Sequence, residues 1–208
     1  MKKITLLLIS LLTASVCYAQ GGYYDSWDKN YLNLGFVETT MSQDGRIDLK
    51  SNYGSSFTIG RTFFLHRPIG GFLCFGIDAT WLNVDYTNFK IKHITDWETS
   101  KYTYHQGEIS MHIGPSVTIR PWSKLSLHGY YRYAPSLSVL YANDAIYGNY
   151  APFFVGGVSI SCGAIGLGVE SRTVDCKYDD FHSYGEGPTA SDGKVVNKTW
   201  KAYLTYRF

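Results

Sequence analysis

The chain alternates. Between 108 and 120, Ile109, Met111, Ile113, Pro115, Val117 and Ile119 take one parity, and Glu108, Ser110, His112, Gly114, Ser116, Thr118 and Arg120 take the other. That is the period of a strand with one apolar and one polar face. The same split recurs in 198–208, with Trp200, Ala202, Leu204, Tyr206 and Phe208 against Lys201, Tyr203, Thr205 and Arg207. It recurs again in 164–173, with Ile165, Leu167 and Val169 against Gly166, Gly168, Glu170 and Arg172. Eight such segments are expected, near 30–37, 53–65, 72–82, 103–120, 125–139, 151–161, 164–175 and 197–208.

The links between them fall into two classes. Those at 66–71, 121–124 and 162–163 are short. Those at 38–52, 83–102, 140–150 and 176–196 are longer and polar. A soluble sandwich has no reason to alternate short and long links so regularly. A transmembrane barrel does, with tight periplasmic turns and longer external loops. Hydrocarbon cannot satisfy exposed backbone, so only helices and closed barrels span it. No segment after the N-terminal stretch offers the 18 consecutive apolar residues of a membrane helix. The expected fold is therefore an all-β, closed, antiparallel eight-stranded transmembrane barrel over 30–208. Eight strands leave an interior about wide enough for side chains alone. Inner-face glycines at 60, 76, 114, 157, 166 and 168 make room for larger neighbours.

Residues 1–19 read as a secretory signal peptide. Lys2 and Lys3 form a positive start, 4–12 is a short apolar run, and Cys17-Tyr18-Ala19 is a small-x-small cleavage site. A lipoprotein signal on Cys17 and a retained anchor are the alternatives. Bulky Val16 disfavours the first, and the shortness of the run disfavours the second. Residues 20–29 form a short polar lead-in. Cleavage removes two lysines, leaving 17 basic against 17 acidic residues and no electrostatic footprint for nucleic acid. Cys74, Cys162 and Cys176 remain, an odd number in an exported chain, at spacings that match no metal motif. Charged residues make up 17% of the chain, against about 25% in an ordinary soluble domain. Aromatics reach 16%, and Trp81, Trp122, Trp200, Tyr131, Tyr133, Tyr206 and Phe208 fall near strand ends or outward positions, where membrane-interface girdles form.

The closing Tyr203-Leu204-Thr205-Tyr206-Arg207-Phe208 resembles the C-terminal signal of bacterial outer-membrane barrels. With the signal peptide and eight strands, the chain resembles small barrels of the OmpA-barrel and OmpX type. The resemblance implies an outer-membrane location and contact with lipid and lipopolysaccharide. It further implies that the barrel-assembly machinery reads Leu204, Tyr206 and Phe208. It implies no cofactor.

Parity sends Asp78, Glu108, His112, His128, Arg132, Glu170, Arg172 and Lys201 inward, with Arg120 and Arg207. Charges in so narrow a lumen must pair or hold water. They form either a polar plug or a narrow gated pore. Pairing about 121–124 brings His112 close to Arg132. Arg61 falls in the lipid-facing phase of Phe57, Ile59 and Phe63, where a cation costs about 2–4 kcal/mol at mid-depth. A bulge, snorkelling to headgroups or a protein partner over that flank would each accommodate it. Phe89 and Trp97, with Asp85, Tyr86 and Lys90, belong to the second long link. Exposed aromatics with mixed charge suit contact with a protein or glycan. An enzymatic alternative, a lipid A acyltransferase or deacylase, would draw on Asp179, His182, Ser183 and Glu186 in the last link. The expected function is a structural or interaction role, as a surface-presenting barrel or an accessory subunit of an envelope complex.

Overall fold

In the computed structural model, residues 27–43, 46–95, 98–122, 124–142, 145–177 and 194–208 are described. They form eight strands: β1 (Asn30–Gln43), β2 (Arg46–Phe64), β3 (Leu73–Thr95), β4 (Glu98–Trp122), β5 (Leu125–Ala142), β6 (Ala145–Cys162), β7 (Ile165–Lys177) and β8 (Lys194–Arg207). Each strand pairs antiparallel with the next, and β8 returns to β1 with Leu34 opposite Leu204, so the sheet is a closed barrel. The seam closes where the termini meet: the Asn30 amide donates to the Phe208 carbonyl at 2.9 Å, and the Phe208 amide returns to Asn30 at 3.1 Å. That end also carries the tight connections. Gly70 and Gly71 in one turn and Gly163 in the β6–β7 hairpin hold φ of 59°, 79° and 62°, a region other residues avoid.

The partition is inside out. Leu34, Phe57, Ile109, Ile113, Leu167 and Leu204 are exposed on the outer wall, while Asp78, Asn83, His112, Arg132, Thr199 and Lys201 are buried within. A bilayer-spanning barrel requires that arrangement, with hydrocarbon outside and a satisfied backbone all round. Outward aromatics gather into contacts, including a stacked Tyr131–Phe154 pair at 5.4 Å and a Tyr53–Tyr86 pair at 6.0 Å.

Two features differ from the sequence expectation. The first concerns the long links. β1 and β2 run to Gln43 and Arg46, β3 and β4 to Thr95 and Glu98, and β5 and β6 to Ala142 and Ala145. Three of the four expected loops are thus mostly strand. Beyond the apolar belt neither face need be apolar, so alternation fades while backbone pairing persists. The second is a bulge in β3. Ile59 pairs with Leu82 but Gly60 with Thr80, and Trp81 and Leu82 are both exposed. The extra residue flips the phase, so Asp78 and Thr80 face inward below it and Asn83 and Asp85 above it.

Away from the turn end the barrel divides. Pairing of β6 with β7 stops at Phe154–Thr173, and pairing of β2 with β3 stops at Ser51–Phe89. Above those points β3–β6 continue as one sheet, and β7, β8, β1 and β2 as another. Four strands separate the two splits in either direction, so they lie on opposite sides of the barrel. Among the described residues the far end is a pair of lips.

Candidate functional site: a charged lumen

Residues from seven strands converge on two ionic clusters inside the barrel. Nearer the turn end, β3 supplies Asp78. Its Oδ1 accepts from the Tyr31 hydroxyl at 2.6 Å and faces the Arg132 Nε at 3.1 Å. Its Oδ2 accepts from Thr62 at 2.9 Å and contacts the His128 Nε2 at 3.0 Å. Arg132, from β5, donates through Nη1 to Thr80 at 2.9 Å and lies 3.4 Å from the centre of the Tyr130 ring. Arg132 and Asp78 are 1% and 0% exposed. Both charges are fully desolvated, so each depends on the other.

Nearer the lips, β4, β7 and β8 meet the second half of β3. Both terminal nitrogens of Arg172 bond the Glu108 carboxylate, with Nη2 to Oε2 at 2.9 Å. Arg172 also faces Asp85 at 3.5 Å. Lys201 lies 3.0 Å from Asp85 and 3.3 Å from Glu170, and donates to the Asn83 Oδ1 at 2.9 Å. Tyr130 links the clusters: its hydroxyl donates to Glu170 at 2.9 Å and sits 3.0 Å from the Tyr203 hydroxyl. His112 contacts Ser110 at 2.8 Å, and Ser110 accepts from Asn83 at 3.1 Å.

The glycines make this packing possible. Gly157 lies beneath Tyr130, Gly168 beneath Tyr203 and Gly60 beneath Tyr31, and a Cβ at any of them would overlap the phenol ring. Gly114 lies against the Arg132 backbone. The interior is correspondingly full. The cavity flanked by Glu108, Ser136, Phe153, Arg172 and Thr199 holds about 20 Å³, room for one or two waters.

At the turn end Trp27 and Asp28, just before β1, reach Arg120. The Arg120 guanidinium lies 4.6 Å over the Trp27 ring, which packs edge-on against Phe64 at 5.3 Å. Asp28 sits 4.0 Å from Arg120. Burial raises its carboxyl pKa above the ordinary carboxylate value, opposed by Arg120 and Arg207.

Of the ten residues expected inward from parity, nine are buried, and Arg120 is half-buried at the turn end. His112 sits one inward position from Arg132, because Gly114 backs directly onto the Arg132 Cα. Asp85 is a correction. It was expected in an external loop, yet it is buried and pairs with both Arg172 and Lys201. Phe89 is a second correction. It was expected to face a partner, but it is 2% exposed on the inner side where the β2–β3 pairing ends. The β3 bulge explains Asp85, and the continuation of β3 beyond the belt explains Phe89. Asn83, Tyr31, Tyr130 and Tyr203 also belong to the network. A polar alternation resuming at Asn83, Asp85 and Thr87 after the Trp81-Leu82 doublet was the available signal. Arg61 remains outward, opposite Asn30 at the start of β1, and lies 5.3 Å over the Phe63 ring. The bulge is on β3 and does not turn Arg61 inward. Leu204, Tyr206 and Phe208 line the outer wall. Trp97, Asp179, His182, Ser183 and Glu186 lie outside the described residues. Among the described residues no group of three or more His, Cys, Asp or Glu could hold a metal.

No protein-family model and no curated protein matches the chain. Solved structures do. The outer membrane protease OmpT from Escherichia coli aligns with a TM-score of 0.50 at 12% identity, over 91% of this chain and 99% of that one. Neisserial surface protein A aligns at 0.48 and 14% identity, covering 86% and 97%. Ail, the attachment invasion locus protein of Yersinia pestis, aligns at 0.46 and 11%, covering 87% and 99%. At such identities the likeness is one of fold: a small β-barrel of the outer-membrane type.

Proposed function

We propose that this outer-membrane barrel is a plugged anchor with an interaction role. It holds a two-lipped sheet at the cell surface and acts as an accessory subunit of a larger envelope complex. The observation that carries the reading is the contrast between the two ends. The lumen is filled by paired charges around a space of about 20 Å³. The strands, by contrast, run on past the apolar belt and divide into two lips. In this reading, 1–19 is a cleaved signal and 20–29 a periplasmic lead-in. The tight turns face the periplasm, and the lips face lipopolysaccharide and the exterior. The barrel-assembly machinery would read Leu204, Tyr206 and Phe208 on the outer wall. Arg61, level with the first residue of β1, would reach the periplasmic headgroups, and the aliphatic part of its side chain would stay in the apolar belt.

A narrow pore is the second reading, and the ordered acid–base lining of the lumen supports it. A pore would require Arg132 to leave Asp78, exposing a carboxylate that is now wholly buried. For an enzyme, the Ser110–His112 contact is the one Ser–His pair among the described residues. It lies inside the packed lumen, and the His112 Nδ1 has no hydrogen-bond partner there to orient the ring as a base.

The test is extraction of the tagged chain from its native outer membrane in mild detergent. A stoichiometric partner set is the expected result. Elution as a lone monomer from membranes that hold the whole complex would overturn the subunit role.

A further inference from the structure

Every second seam of the barrel is stitched at the turn end by a backbone hydrogen bond that involves a basic residue. The Thr62 amide donates to the Lys29 carbonyl where β2 meets the start of β1, and the Arg120 amide to the Phe72 carbonyl where β4 meets β3. The Gly163 amide donates to the Lys124 carbonyl beside β6 and β5, and the Arg207 amide to the Ala164 carbonyl beside β8 and β7. Each of these bonds is 2.7 Å long. Arg61, near the end of β2, and Arg67, in the turn after it, add two more cations. Over 27–30, 61–76, 117–128, 159–167 and 204–208, six residues are Lys or Arg and one, Asp28, is acidic. Asp25, earlier in the sequence, lowers that excess by only one.

Two of the six are already engaged. Arg120 has Asp28 at 4.0 Å, and buried Arg207 lies 5.5 Å over the Tyr31 ring. Lys29, Arg61, Arg67 and Lys124 are exposed, and among the described residues none of these four has a carboxylate partner. Apolar side chains share their level. Leu65, Ile69, Phe72, Trp122, Tyr206 and Phe208 are all exposed at this end. Water would penalise so much apolar surface. The membrane interface accommodates it, with aromatic rings among the headgroups and the Lys and Arg stems along the apolar edge.

We propose that this collar binds phospholipid headgroups of net negative charge and selects them over zwitterionic ones in the leaflet at the turn end. The distribution of the cations identifies the occupant. They recur at every second seam, so the partner must surround the barrel. A lipid leaflet does so, whereas a protein docked on one flank does not. The charge is of one sign and open to the surroundings, and each such cation attracts anionic lipid. Snorkelling alone accounts for how Arg61 is tolerated. The collar adds a chemical preference for what it meets. The inference stands apart from the interaction role, because the collar meets lipid whether or not the lips hold a partner.

The test uses the full chain in vesicles of phosphatidylcholine and phosphatidylglycerol, with one lipid or the other brominated. Both leaflets share one composition, so the direction of insertion does not matter. Bromine quenches tryptophan on contact, and the difference between the parent and Trp122→Phe isolates the signal at the collar. Phosphatidylglycerol should be enriched there about fivefold, the effect of roughly one cation beside an anionic headgroup. The combined variant Arg61→Gln, Arg67→Gln, Lys124→Gln should lose the enrichment, and Lys50→Gln at the lip end should keep it. Salt at about 1 M should erase it in the parent, because screening then acts within about 3 Å. Equal quenching by the two lipids in the parent would overturn the proposal. An acidic protein cross-linked to Lys124 in native membranes would then assign the collar to protein. Enrichment that survives the combined variant, or that survives salt, would also overturn it.

Discussion

Asp78→Asn removes one charge from the most deeply buried ion pair. The change is nearly isosteric, so it isolates electrostatics from packing. Arg132 then faces a neutral amide, with a neutral Thr80 hydroxyl at 2.9 Å and the rings of Tyr130 and Tyr31 at 3.4 and 5.6 Å. Leaving one member of a buried pair uncompensated costs about 3–5 kcal/mol. The amide also presents an NH2 toward donors that now bond the carboxylate, among Tyr31, Thr62 and His128, which argues for the upper half of that range. Equilibrium urea unfolding in lipid vesicles measures it directly. The double variant Asp78→Asn, Arg132→Met removes both charges and should lie within about 1–2 kcal/mol of the parent, since a buried pair is worth little against apolar groups of similar shape. A single-variant cost under about 1 kcal/mol, typical of an exposed pair, would refute the sealed lumen.

Two further outcomes follow from packing and topology. Gly157→Ala should cost about 1–3 kcal/mol in the same assay, because Tyr130 is pinned between Glu170, Tyr203 and Arg132 and cannot yield. Gly129→Ala, whose nearest neighbour is 3.6 Å away, should be nearly silent. A membrane-impermeant maleimide should label exposed Cys162 at the β6–β7 turn only after the outer membrane is opened, and buried Cys74 only after unfolding. Labelling of Cys162 on intact cells would invert the proposed orientation.

The strand count, the closed barrel and the inward face were legible because hydrocarbon imposes strict alternation on any strand that crosses it. Glu108, His112 and Arg132 could be assigned by parity alone. Legibility failed where that constraint lapsed. At Trp81-Leu82 one inserted residue reversed the parity, so Asp85 was read as a loop residue although it holds both Arg172 and Lys201. Beyond the belt, Lys90–Thr95 mixes polar residues and isoleucine at both parities, and its pairing with β4 reveals it as strand. The tyrosines of the network were hidden for another reason. Tyr203 takes the polar parity of its strand and Tyr31 and Tyr130 carry no such mark, and each lies over an inner-face glycine that can be matched to it only with the register in hand.

The central claim is a lumen closed by its own charges. The most direct measurement is single-channel recording of the purified chain in a planar bilayer. The traces should be indistinguishable from those of protein-free membranes at either polarity. Discrete, reproducible conductance steps that change with Arg132→Ala would contradict the plug and make the barrel a pore.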